Sequence, residues 1–351
     1  MKPIFQDEKS SLIFILLSLL FISSCGAEEP TTEQQSPYDL VVAQDGTGDF
    51  TSVQEAFDAV KFLQDERTVI YIKKGSYKEV LTLPKEKNNV TIIGENASDV
   101  LLTYDNYASK INPENGEEYG TSGSASTYIY GDTFYAHNVT FENSSGPVGQ
   151  ALAIYIAGDK AVFTNCRFIG WQDTMYGGRS RQYFKDCYIE GSTDFIFGPS
   201  TAFFENCQLH TKGGSAITAA STEEYVTYGY VFNHCTISGT GPNITTLGRP
   251  WRPYAAVAFI KTEMSDAVKA EGWDNWGNAD NEVTARYAEY SNDGDGAITT
   301  GRVDWVRFLT PAEALEYTPA NVFKTTYSNP PVTDNWDPAE VIETTEELLL
   351  Q

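Results

Sequence analysis

Basic charge, histidine and long apolar runs are what this chain has least of. Its 351 residues carry 24 lysines and arginines against 48 aspartates and glutamates, a net charge of −24. That balance argues against nucleic acid as a partner, since no basic face is available to meet phosphates. Only three histidines are present, His137, His210 and His234. All lie in or beside strand-like segments, where a stacked, hydrogen-bonded role is expected. No Gly-x-Ser-x-Gly elbow occurs, so the common serine esterase route has no support. The absence of a Cys-x-x-Cys pair argues against a zinc site. The fragment GTGDFT from Gly46 lacks the third glycine of a dinucleotide-binding turn. SNDGDG, with Asp293 and Asp295, lacks the glutamate that completes a calcium loop and reads as a plain turn. Carboxylates are left as the strong acid–base candidates.

One apolar run stands out, LIFILLSLLFI from Leu12 to Ile22. It is short for a membrane span and suits a secretory signal. Ile22-Ser23-Ser24-Cys25 resembles a bacterial lipobox. Residues 1–24 are therefore expected to be a lipoprotein signal peptide, with Cys25 lipidated after cleavage. Residues 25–37 read as a flexible tether. The expected location is the outer membrane of a bacterium, on its periplasmic face or the cell surface.

What is present is repetition. The phrases VFTNCRF, YFKDCYI, FFENCQL and VFNHCTI place Cys166, Cys187, Cys207 and Cys235 at successive spacings of 21, 20 and 28 residues. Each copy alternates apolar and polar residues and is too short to bury a face alone, so neighbouring copies must stack. Three short strands per coil fit an all-β parallel β-helix in one domain, residues 38–328. Ser52 and Glu55 mark a capping helix at one end of the stack. Residues 104–126 read as a loop. Thr310, Pro311 and Glu313 mark the start of a helix lying outside the stack. Residues 329–351 form an acidic tail, mobile unless Trp336 docks it. The four repeat cysteines read as buried thiols, with disulfides left open by the spacing.

The register carries chemistry. Asp173 lies seven residues after Cys166, and Asp194 seven after Cys187. Stacked cysteines imply stacked aspartates, on strands about 4.8 Å apart. Such carboxylates do not ionise together easily, so one pKa is expected to fall and the other to rise. The third copy has Gly214 at the same spacing, which ends the series. Gln172 and Asp173 would point to opposite faces of an ideal strand, so they share a site only at a bend.

Four phrases then converge: GQA at Gly149–Ala151, WQDT at Trp171–Thr174, DFIFG at Asp194–Gly198 and GRPW at Gly248–Trp251. Together with GTGDFTSVQEA and ARYAEY, they make the chain resemble the pectin methylesterases over about residues 38–325. The resemblance implies a right-handed β-helix and a metal-free, cofactor-free aspartyl esterase acting on methyl-esterified homogalacturonan; a monomer is expected, with oligomeric state left open by the sequence. It implies Asp194 as nucleophile and Asp173 as general acid and then base. Gln150 and Gln172 become oxyanion-hole residues, Arg249 the group that orients Asp194, and Trp251 an aromatic of the sugar cleft. Tyr130, Tyr176 and Phe195 are further cleft candidates. A lyase or polygalacturonase lacks support, because neither a calcium site nor a Gly-His-Gly motif is evident. An esterase of another acylated polysaccharide and a non-catalytic polysaccharide-binding lipoprotein remain as alternatives.

Overall fold

The computed structural model describes residues 37–350, so the expected signal peptide, the expected lipidation site Cys25 and all of the expected tether but Pro37 lie outside the described residues. Residues from Pro37 onward form one compact unit. Its strands fall into three parallel sheets of 11, 8 and 7 strands, and the chain visits them in turn once per coil. One coil runs Ala161–Thr164, Arg167–Ile169 and Met175–Gly177; the next runs Arg181–Lys185, Tyr188–Gly191 and Ile196–Gly198. This is the expected parallel β-helix.

Stacking places like on like. Phe163, Phe184, Phe204, Phe232 and Phe259 occupy one register of the first sheet. Their rings stack inside the coil at centroid spacings of 5.0, 4.7, 4.4 and 4.4 Å. Burial of each ring is possible only because the coils on either side supply the missing walls.

The corner between the first and second sheets explains the repeated phrase. Asn138, Asn165, Asp186, Asn206 and His234 all turn it with φ between +49° and +58°. Asn, Asp and His tolerate this left-handed conformation better than most residues, which favours them before the repeat cysteines. Cys166, Cys187, Cys207 and Cys235 are buried free thiols. Each donates to a carbonyl of the preceding coil, those of Ala136, Phe163, Phe184 and Phe204 respectively. The histidines are bound into the same framework: His137 pairs with Thr164, His210 with Ser238, and His234 forms a corner.

The N-terminal end is closed by the helix Val53–Ala59, which buries Val53, Ala56 and Phe57. Ser52 accepts from the Glu55 amide at 3.1 Å, half of the expected capping box. In place of the other half, Glu79 from the next coil accepts from Ser52 Oγ and from the amides of Val53 and Gln54. The segment 104–126 is a loop containing one helical turn, Gly120–Gly123. The buried Asn143 amide ties it down by donating to the carbonyls of Asn106, Ser124 and Leu152.

At the other end the expectation needs correcting. Thr310 and Glu313 do form a reciprocal capping box, but the helix they start is one turn, Pro311–Ala314. Pro319 begins a separate turn soon after, and proline does not continue a helix from its N-terminal side. The longer outer helix is Ala339–Leu349, within the tail. Its Ile342 joins the buried cluster on the outside of the first sheet that also holds Val162, Tyr183 and Phe203. Trp336 docks the tail, with its ring 4.7 Å from that of Phe323. Arg181, only 1% exposed, completes the attachment through bonds to Asp159, Asp334 and the Phe323 carbonyl.

Candidate active site

The second corner that matters lies between the second and third sheets. Asp173 and Asp194 both sit there with positive φ, +63° and +53°. Ordinary strand alternation is broken at this point, which supplies the bend that Gln172 and Asp173 require. The Asp173 amide donates to Thr193 O at 3.0 Å, and the Asp194 amide to Ala216 O at 2.7 Å. The aspartates therefore occupy equivalent positions of adjacent coils, as the pairing Met175↔Ile196 also requires. The register partner of Asp194 in the next coil is Ala216 rather than Gly214, since Ile196 pairs with Thr218. The longer turn around Gly213 and Gly214 absorbs the two-residue difference from the cysteine count.

Arg249 is brought in at the end of the strand Thr246–Gly248. Its guanidinium grips Asp194 bidentately, Nε to Oδ1 at 2.9 Å and Nη2 to Oδ2 at 2.6 Å. Its other face meets the ring of Trp276 at 3.8 Å. Gly248 is required beneath it: a Cβ there would fall 2.2 Å from Thr218 Oγ1 and 3.0 Å from the Trp273 ring. Gly198, at φ +116°, closes DFIFG where a Cβ would strike the Gly177 carbonyl.

Both carboxyls are pushed upward, Asp173 much further. Burial drives Asp173 to about 8, and the neighbouring Asp194 charge adds to it, against Arg249 and the Gln172 amide. Burial also raises Asp194 above its ordinary value, although the two Arg249 bonds oppose it. This corrects the expectation that one pKa falls: at 8% and 5% exposure, desolvation outweighs the pairing. The expected asymmetry survives, with the more acidic carboxyl held by Arg249 and the more basic one beside it.

Gln150 lies in the preceding coil, bridged in parallel to Gln172, and both are half-buried. Gln150, Gln172, Asp173 and Asp194 thus lie on three successive coils, and Arg249 reaches them from a strand end two coils further on. Trp251 follows on the same strand end, its ring 5.9 Å from that of Phe197. Tyr128, Tyr155, Tyr176 and Phe197 stand in one register of the third sheet. Their rings step outward along the sheet at 5.8, 4.5 and 5.1 Å. Tyr130 joins this row, 5.7 Å from Tyr155. Beyond Tyr176 and Trp251 lies a depression of about 480 Å³ that Arg179, Glu223 and Arg252 also line.

Phe195 does not join them. It is fully buried inside the coil, because its neighbour Asp194 turns the corner and leaves the next side chain pointing inward. Phe197, two residues on, is the outward aromatic. Tyr128, Tyr155 and Phe197 were legible as the central residues of TYI, IYI and IFG once the coils are aligned. Trp276 had no such signal, since it lies in a loop outside the repeat.

The comparisons with known proteins agree. The Pectinesterase family model matches residues 39–326. Pectinesterase 31 of Arabidopsis thaliana is 45% identical over 279 residues, 78% of this chain and 88% of that protein. A pectin methylesterase from carrot superposes with a TM-score of 0.76 at 30% identity, covering 81% of this chain and 92% of its own. A pectin methylesterase solved in complex with a hexasaccharide superposes at 0.73 and 28% identity, covering 86% of this chain and 98% of its own. The fold, the paired carboxylates and these matches lead to one conclusion: the chain belongs to the pectinesterase family of carboxylic ester hydrolases.

Proposed function

We propose that this chain hydrolyses the methyl esters of homogalacturonan through a covalent intermediate on Asp194. The observation that carries the reading is the asymmetric aspartate pair, in which Arg249 bonds Asp194 at 2.6 and 2.9 Å while Asp173 is pushed up to about 8.

Ionised Asp194, oriented by Arg249, attacks the ester carbonyl carbon, and the carbonyl electron pair moves onto oxygen. Amide N–H groups of Gln150 and Gln172 donate to that oxyanion without neutralising the nucleophile. The intermediate collapses, the carbon–OCH₃ bond breaks, and the proton of Asp173 goes to the departing methoxide. This leaves an acyl-Asp194 anhydride, methanol and ionised Asp173. Asp173 then takes a proton from water, whose oxygen attacks the same carbonyl. Asp194 leaves as carboxylate, the sugar acid is released, and Asp173 is protonated again. Trp251, Tyr176, Tyr130 and the rest of the aromatic row offer apolar faces to sugar rings. The hexasaccharide bound by a structurally similar pectin methylesterase supports an extended, multi-ring site.

The test is methanol release from highly methylated pectin in the presence of chelator. Wild type is expected to release methanol, with Asp194→Ala and Asp173→Ala each lowering kcat by about 10³-fold or more. Release that survives both changes would put the chemistry elsewhere. Pectin left intact while another acylated polysaccharide is deacylated would move the substrate.

The lipobox supports export as a bacterial lipoprotein anchored through Cys25. Expressed in a lipoprotein-processing bacterium, the chain is expected to yield a diacylated N-terminal peptide by mass spectrometry. A soluble product with an unmodified Cys25 would remove that part of the reading.

A further inference from the structure

We propose that Lys212, paired with Glu190, is a positioning residue for the turn that presents Gln172 and Asp173. The inference rests on the catalytic reading given above for that turn.

Lys212 stands two coils beyond the turn, yet its Nζ donates to the Gly170 carbonyl at 2.9 Å. The same ammonium lies 4.6 Å from the centroid of the Trp171 ring. Between the two coils it meets Glu190 at 2.6 Å, and Tyr188 donates to the other Glu190 oxygen at 2.8 Å. Both charged side chains are largely buried, at 18% and 16% exposure. The Lys212 amide also donates to Gly191 O. One side chain therefore joins three coils: its own, the coil that carries Asp194, and the coil that carries Asp173.

The turn depends on such outside support. Gly170–Asp173 spans the gap between the strands Arg167–Ile169 and Met175–Gly177. Trp171 O accepts from Ser192 N and from Thr174 Oγ1, Gln172 O accepts from Ala151 N, and Asp173 N donates to Thr193 O. None of these fixes the entry to the turn at Gly170. Lys212 does, by holding the Gly170 carbonyl and the face of Trp171 together. Glu190 is held as a carboxylate: burial would raise it, but Lys212 and Tyr188 hold it below its ordinary value. Removal of the ammonium leaves a carbonyl and a mostly buried carboxylate without their partner. The turn is then free to shift by a fraction of an ångström, which a pre-organised oxyanion hole and acid do not tolerate.

The experiment uses the full chain with methylated pectin, reading kcat and KM separately alongside the melting temperature. Lys212→Met keeps the stem over Trp171 and removes the charge. It is expected to lower kcat about tenfold with KM within about twofold, and Lys212→Arg to restore most of the rate. Glu190→Gln keeps shape and Lys212, and is expected to lower kcat about threefold; it decides the matter if Lys212→Met does not fold. A kcat within about twofold of wild type for folded Lys212→Met and Glu190→Gln overturns the proposal, as does Lys212→Arg performing no better than Lys212→Met. If Asp173→Ala retains activity, the catalytic reading itself has failed. An inactive Asp173→Ala beside a normal Lys212→Met removes only this inference.

Discussion

At the residue scale, Asp173 shows how function and stability oppose one another. A carboxyl raised from 3.8 to about 8 by burial is more easily protonated folded than unfolded. Its favourable contribution is complete below pH 4 and is lost as the pH rises towards 8. The loss at pH 7 is at most about 4 kcal/mol. Asp173→Asn, which cannot ionise, is therefore expected to melt higher than wild type at pH 7, with the gap closing as the pH falls to 4. Equal melting temperatures across that range would contradict the upward shift. Activity should show the same group from the other side. If the proposed mechanism holds, proton donation by Asp173 should fail above about pH 8, while the acid limb should report Asp194, whose carboxyl Arg249 keeps from rising further.

At the scale of the element, the C-terminal tail is held by a few contacts, with the fully buried guanidinium of Arg181 at their centre. Asp334 accepts from Arg181 and pairs with Lys160 at 3.0 Å, and its carboxyl sits well below the usual range. Asp334→Asn should weaken the attachment by about 2 kcal/mol. Hydrogen exchange across Ala339–Leu349 is expected to quicken while the coils stay protected. Uniform exchange in both regions would show that the tail and the stack unfold together. Legibility in the sequence divides along similar lines. The coils were readable because each repeats its neighbour: Cys166, Cys187, Cys207 and Cys235 announce the register, and Asp173 and Asp194 follow from it. Trp276 and the Arg181 clamp were not, because each joins segments far apart in the chain with no repeat to mark them. Phe195 was misplaced for a related reason. Its direction depends on the φ of Asp194, and a motif does not state a backbone angle. The helix at Thr310 had a sound start signal, but a helix runs only as far as its downstream residues allow, and Pro319 comes too soon.

For the molecule as a whole, charge is the dominant fact. A protein of net charge −24 that turns neutral esters into carboxylates builds up a product that repels it. Screening shortens that repulsion to about 10 Å at 0.1 M salt. Progress curves on pectin are expected to bend early at low ionic strength and to straighten when sodium chloride is added. Curves that are insensitive to salt would mean that local cations such as Arg179 and Arg252 govern binding instead of the overall field.

The stacked aspartates carry one more consequence. They are the same amino acid, at the same corner, with the same handed backbone, one storey apart. Nothing in either residue makes one a nucleophile and the other an acid. In the proposed mechanism the difference comes from a cation whose hydrogen bonds reach one storey and not the next. On that reading a repeating scaffold obtains two chemical roles from one duplicated position by breaking its own symmetry with Arg249, and the division of labour belongs to that arginine's address rather than to the aspartates themselves.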